Sequence, residues 1–320
     1  MRRSGLVATV VLVAAACVLP FFATSFQIYQ LTQIVVYSMA LVGLNLLTGF
    51  NGQISLGHGA FYAIGAYTTA VLLDKAGIPY WAAVPISGVV CFVVGFLFGL
   101  PALRLEGPYL ALATFALAVA TPQILKNDAF EHWTGGVQGM SVNRPESPIP
   151  DSIDGDQWLY FVSLFIAVLL YAAAWNLLKG RTGRAMVAIR DHPIAAVAMG
   201  IDIAMYKSLT FGVSALYTGV AGALAAMLVG FVSPDTFSIL LSINLLVGVV
   251  IGGIASIGGM IFGAAFITLV PNYADKISDA APWAIYGALL IAFMILMPTG
   301  VAGFVRAAVR RLSGSQVKRT

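Results

Sequence analysis

The side chains with the most chemical potential in this sequence lie close together. They are Asn51, Gln53, Ser55 and His58, in the stretch Asn45-Leu46-Leu47-Thr48-Gly49-Phe50-Asn51-Gly52-Gln53-Ile54-Ser55-Leu56-Gly57-His58. Two chemistries come to mind: a serine activated by a histidine, or amides and hydroxyls that hydrogen-bond a polar solute. The first fails on pattern. Ser55 sits in SLGHG, not in a GxSxG elbow, and no carboxylate is placed to orient His58. The sequence also lacks a GxxxxGK[ST] phosphate loop, an HExxH and a CxxC pair. Cys17 and Cys91 both lie inside apolar runs, as buried thiols do, and have no metal-site spacing. Neither catalysis nor a bound metal nor a cofactor is expected in this chain. Hydrogen bonding to a solute remains.

The elements around these residues must be membrane spans. Of 320 residues, 60% are hydrophobic and 9% charged, where a soluble domain carries about 25% charged residues. The apolar residues come in blocks of about 20, the length of a helix that crosses a bilayer. The expected fold is an all-α polytopic membrane protein of about ten helices (8–10) with glycine-rich broken segments. They are placed at roughly 5–24, 30–49, 57–74, 80–102, 108–125, 158–178, 208–230, 237–252, 258–275 and 283–302. Met1-Arg2-Arg3 with the apolar run behind it reads as an uncleaved first span.

Charge orients the layout. Of the 17 Lys and Arg, only Lys75, Lys126, Arg144 and Lys276 fall on the outer side when the N-terminus is cytoplasmic. The positive-inside rule therefore places both termini in the cytoplasm. The charge is not a nucleic-acid signal, since the basic residues sit at span ends. The whole chain, 1–320, reads as one transmembrane domain. An outer loop covers about 126–157, an inner loop about 179–207 and an inner tail about 303–320.

Two stretches interrupt the apolar pattern with glycine and small polar residues. The first runs through Asn45, Gly49, Asn51, Gln53, Ser55 and His58; the second holds Asn244, Gly248, Gly252, Gly253, Ser256, Gly258 and Gly259. They resemble each other, Asn45-Leu46-Leu47 with Gly49 matching Asn244-Leu245-Leu246 with Gly248. After a two-residue insertion, Gly52, Ser55, Gly57 and Phe61 match Gly253, Ser256, Gly258 and Phe262. Non-helical backbone inside a bilayer must be buried in protein or line a cavity. Paired breaks in two halves point to a transport pathway. Small residues also permit close helix packing, and the two readings are compatible. Asn45, Gly49, Asn51, Gln53, Ser55, His58, Asn244 and Ser256 are the candidate pathway residues.

The inner stretch Gly180 to Lys207 is too charged for lipid. Arg181, Arg184 and Arg190 precede Asp191-His192-Pro193, a helix start with proline in the first turn. Ile194, Ala195, Ala196, Val197, Ala198 and Met199 supply about two apolar turns. Gly200 reads as the C-terminal cap and Asp202 as the cap of the next helix. A short capped helix at a membrane surface, rimmed with arginine, is a docking element.

Several of these stretches resemble one family. Gly183, Arg184, Ala185, Met186, Val187, Ala188, Ile189, Arg190, Asp191, His192, Pro193 and onward to Ile201 carry the pattern GRA-x-x-AIRD-x-x-x-AA-x-x-MGI. This resembles the cytoplasmic loop of permease subunits from ATP-driven branched-chain amino acid importers. The wider importer class has Glu-Ala-Ala followed by glycine, and here Ile194 takes the glutamate's place. GLNLLTGFNGQISLGHGAFYAIGAY from Gly43, RLEGPYLALAT from Arg104, TGG-x-x-GM from Thr134, Ser233–Ser238 and IGG-x-x-S-x-GG from Ile251 are similar to the same family. The resemblance implies a bacterial inner-membrane subunit whose loop from Gly183 to Ile201 docks on an ATPase. It also implies partners: a second homologous permease, two ATP-binding cassette ATPases that bind the ATP, a periplasmic solute-binding protein, and lipid.

Energy source and substrate follow the same lines. The spans hold no Asp, Glu, Lys or Arg away from their ends, whereas ion-coupled carriers place ionisable groups in the membrane. A lone His58 is more often a packing or hydrogen-bonding residue than a proton relay. A pathway of Gly, Ala, Ser, Asn and Gln suits a small net-neutral solute. Leucine, isoleucine and valine qualify, and so do urea and short amides. A stand-alone carrier or channel for such solutes is the alternative from another class.

Overall fold

The computed structural model describes residues 14–102, 105, 107–148, 153–277 and 282–312. Residues 5–13 of the first expected span, the inner-surface pair Arg104 and Glu106, and the tail beyond 312 therefore lie outside the described residues.

The helices begin and end where local chemistry dictates. Helix α1 (Ser25–Asn45) starts with a capping box, in which the Thr24 hydroxyl and Gln27 side chain each take the other's backbone N–H. Helices α2 (His58–Asp74), α3 (Tyr80–Ala102) and α4 (Pro108–Leu125) follow, the last opened by proline, which loses no helical N–H there. A short helix α5 (Asp128–Thr134) precedes α6 (Gly155–Lys179). Then come α7 (Arg181–Asp191) and α8 (Pro193–Ala198). Asp202 accepts the N–H of Met205 at 3.1 Å and so starts α9 (Ile203–Val229), which Gly230 ends in the left-handed region. Helices α10 (Ile239–Gly252), α11 (Gly259–Ile277), α12 (Pro282–Leu296) and α13 (Gly300–Leu312) follow among the described residues.

The centre is α9, against which α1, α2 and α3 pack. Small residues make up much of its buried surface, among them Gly212, Ser214, Gly219, Gly222 and Ala223. Small residues let backbones approach, and packing then replaces the hydrophobic effect that lipid cannot supply.

The fold is a helical, multi-pass membrane architecture. Among the described residues, six stretches are long and apolar enough to cross a bilayer, the last of them, Ala284–Ala307, taking in most of α12 and the start of α13, and Ile239–Gly252 and Gly259–Ala274 are shorter. At 1.5 Å per residue, the 14 residues of α10 reach only about 21 Å, against roughly 30 Å of hydrocarbon. It is a half-span that ends at the second break.

The structure departs from the sequence reading in three places. The tenth helix, expected over 283–302, stops at Leu296. Pro298 has no N–H to continue it, and Gly300 at φ +70 turns the chain into the separate α13. The loop at 126–157 is not merely irregular. It contains α5 and a two-residue strand β1 (Met140–Ser141), paired antiparallel with β2 (Phe231–Val232). That ladder is a small exception to an all-α chain. Finally, α1 and α9 each begin five residues before the expected starts of 30 and 208, because the caps Thr24 and Asp202 decide the start.

Candidate functional site

The first break begins where α1 widens into a π-turn, Leu46–Phe50. Residues 51–57 leave the helix, and α2 restarts at His58. Such π-turns occur often at functional sites.

Hydrogen bonds close around His58, whose exposure is 0%. Its Nε2 lies 2.6 Å from Ser214 Oγ, and Ser214 Oγ donates to the Gly43 carbonyl at 2.6 Å. Since Ser214 has a single proton, the histidine Nε2–H donates to it. Nδ1 is then the acceptor for the Ser55 hydroxyl at 3.0 Å, and Ser55 Oγ accepts the N–H of Gly57 at 3.2 Å. Every proton has a place, so the ring is neutral and ties α2 to α1 and α9. A His58→Leu exchange is expected to cost about 2–4 kcal/mol, because it strands the Ser55 hydroxyl in the interior. Thermal unfolding of the purified chain would read this; an unchanged midpoint would refute it.

The two breaks meet at Asn45, which is 1% exposed. Its Oδ1 accepts the N–H of Ala255 at 2.9 Å, and its Nδ2 donates to the Ser256 carbonyl at 3.2 Å. Ala255, at φ +59, is the one non-glycine residue with positive φ among the described residues. The junction leaves no room for a side chain at Gly49, where a Cβ would clash with Asn45 Oδ1 and lie 2.6 Å from Ala255 N.

The remaining candidates are placed as follows. Gln53 donates through Nε2 to the Lys207 carbonyl at 3.3 Å, and its N–H bonds the Leu47 carbonyl at 3.1 Å. Asn51 is buried, and neither its Oδ1 nor its Nδ2 has a hydrogen-bond partner. Ser256 contributes its backbone carbonyl. Asn244 lies apart from the cluster, on α10, with Tyr286 Oη donating to its Oδ1 at 3.5 Å. Three participants escaped the sequence reading: Ser214, Ser242, which accepts the Gly59 N–H at 2.8 Å, and Thr114, which accepts the Leu56 N–H at 2.9 Å. Each is an ordinary small polar residue within a helical run, with nothing local to single it out.

The loop from Gly183 to Ile201 forms two helices hinged at His192. Helix α7 buries Gly183, Ala185, Met186 and Ile189 on one face, while Asp191 is exposed. On α8 and its end, Ala196 is buried, while Ile194 is 87% and Met199 82% exposed, with Val197 also open. Arg190 reaches the first break. Its Nη1 donates to the Gly49 carbonyl at 2.8 Å, and its Nε pairs with Asp191 at 2.8 Å. Helix α13 touches the second break, with Ala302 against Gly253 and Gly259.

Comparison with known proteins gives this arrangement its place. The family described as "Branched-chain amino acid transport system / permease component" matches residues 27–298. The high-affinity branched-chain amino acid transport system permease protein LivM of Salmonella typhimurium (strain LT2) is 31% identical, over 95% of this chain and 76% of its own. LivM of Escherichia coli (strain K12) is likewise 31% identical, over 96% and 77%. The probable branched-chain amino acid transport permease protein LivH of Methanocaldococcus jannaschii is 25% identical, over 87% and 93%. With its multi-pass helices, its two breaks and this match over most of its length, the chain belongs to the family of branched-chain amino acid transport permease components.

Proposed function

We propose that the chain is the permease subunit of an ATP-driven importer that moves branched-chain, zwitterionic amino acids across a bacterial inner membrane. In this reading, residues 1–320 are one transmembrane domain with both termini in the cytoplasm. The segment 126–157 faces outward and 179–207 faces inward. ATP is bound and hydrolysed by two ATPase subunits, a second homologous permease completes the membrane part, and a solute-binding protein delivers the substrate. The chain itself performs no catalysis and holds no cofactor.

One observation carries the reading. An apolar helix, α8, stands open on a basic loop, and the same loop bonds directly to a broken helix through Arg190. An exposed Ile194 and Met199 suit an apolar groove on a soluble partner. Displacement of α8 by the ATPases would pass through α7 and Arg190 to the Gly49 carbonyl. From there Asn45 leads to the second break. A nucleotide shifts such an equilibrium only by contacting the two states differently.

Burial separates the two alanines of the motif. Ala196 is buried and Ala195 exposed, so a bulky residue at 196 would disturb packing and only 195 tests docking. Ala195→Trp is expected to cut leucine uptake at least tenfold in proteoliposomes that hold the complete transporter and the binding protein. Uptake at the parental rate with that variant would sink the docking reading. Uptake by vesicles holding this chain alone would identify a stand-alone carrier instead.

A further inference from the structure

A cavity of about 100 Å³ lies at the end of the bundle away from the α7–α8 loop. Its walls include the last turns of α9, around Ala226, some 23 residues beyond Ile203 and so roughly 35 Å along that helix. Tyr29, Gln33, Tyr37, Tyr62, Thr236 and Leu241 line it as well. The rings form a connected set: Tyr37 and Tyr62 are 6.1 Å apart between centroids, and Tyr62 and Phe237 6.3 Å. No lining side chain is charged. The wall at Thr236 and Phe237 belongs to a 3-10 turn, Pro234–Phe237, that separates α9 from the half-span α10. Asp235, within that turn, forms an ion pair with Lys126.

We propose that this cavity is a side-chain subsite for the transported solute, taking the branched aliphatic group of a zwitterionic amino acid. The inference rests on the permease reading above and names a site for its substrate. Size selects the ligand group. An apolar cavity of about 150 Å³ holds benzene. One of about 100 Å³ suits an isopropyl or isobutyl group better than a phenyl or indole ring. Chemistry selects it too. A charged side chain would lose its water here with no counter-charge, which is strongly unfavourable. The apolar branch meets Leu241 and the faces of the rings. The α-ammonium finds the tyrosine faces, which attract cations. The carboxylate finds the donors of Gln33, Thr236 and the tyrosine hydroxyls at the polar edge. The subsite then adds a second, coarse filter after the binding protein.

Leu241 is the residue to vary, since it lines the cavity and is only half-buried. The complete transporter would be reconstituted in proteoliposomes with one binding protein. Uptake of radiolabelled valine, leucine and phenylalanine would be measured beside ATP hydrolysis. The binding protein is common to every arm and cancels from the ratio of variant to parent. Leu241→Trp, which fills the space, is expected to lower leucine uptake at least tenfold while ATP hydrolysis still responds to the loaded binding protein. Leu241→Ala, which enlarges it, is expected to raise the phenylalanine-to-valine uptake ratio at least threefold. Parental ratios in the alanine variant would overturn the subsite, whatever the tryptophan variant does. Failure of the parental complex to couple ATP to uptake would overturn the permease reading instead, so the two failures are distinct.

Discussion

An Arg190→Ala variant is expected to assemble with its ATPases and hydrolyse ATP, yet to import at least ten times more slowly than the parent. The Gly49 carbonyl lies in the last turn before the chain leaves the helix, where carbonyls lose their intrahelical donors. The guanidinium supplies a donor at 2.8 Å. Hydrogen bonds from charged groups contribute about 1.5–3 kcal/mol each, enough to hold a turn in one of two positions. The contact is also steric. Gly52, at φ +75, faces the arginine so closely that a Cβ would lie 2.8 Å from Arg190 Cγ. Loop and break are therefore joined by packing and by a hydrogen bond, which in the proposed mechanism makes them move together. Arg190→Lys keeps a charge but offers no planar fork to span Gly49 and Asp191 at once, and an intermediate rate is expected. Uptake and ATP hydrolysis measured on the same proteoliposomes decide the matter. Parental uptake in the alanine variant would remove Arg190 from the transmission path. Loss of the ATPases on purification would make it an assembly residue.

What could be read from the sequence were features whose cause is local. Pro108 and Pro193 open helices, Gly200 and Gly230 end them at positive φ, and Asp202 caps one, all within a few residues of the signal. The breaks were legible because glycines and polar residues crowd them more densely than in α9, with Asn51, Gly52, Gln53, Ser55, Gly57 and His58 in one and Gly252, Gly253, Gly258 and Gly259 in the other. Their partners were not. Asn45 finds Ala255 across 210 positions and His58 finds Ser214 across 156, and nothing near either residue announces the other. The repeat between the halves misleads in the same way. It locates both interruptions, but Asn45 bridges them while its counterpart Asn244 faces Tyr286. Helix α7 was hidden by its charges. Arg181, Arg184 and Arg190 draw the eye, while Ala185, Met186 and Ile189 recur at the spacing of one buried face. The β1–β2 ladder pairs only two residues from each strand, too few to show an alternating pattern.

Asn45→Leu is expected to unfold earlier than the parent, and to stop uptake. The leucine leaves the Ala255 N–H and the Ser256 carbonyl without their partner. Orphaned buried groups cost about 1–3 kcal/mol each. Polar contacts measured inside membrane proteins average nearer 0.6 kcal/mol, so about 2 kcal/mol is the expected loss. Asn45→Asp preserves the acceptor for Ala255 but turns the donor into a second acceptor facing a carbonyl, and is expected to be no better. Ala255→Gly acts in the opposite direction. A left-handed alanine costs roughly 1 kcal/mol that glycine does not incur, so that variant is expected to melt slightly higher. Combined with Asn45→Leu, it should recover part of the lost stability but not the uptake. In the proposed mechanism stability depends on what the break costs, whereas uptake depends on the two breaks moving as one. Recovery of uptake in the double variant would show that the Asn45 bridge only relieves strain at Ala255, and that the interruptions move independently.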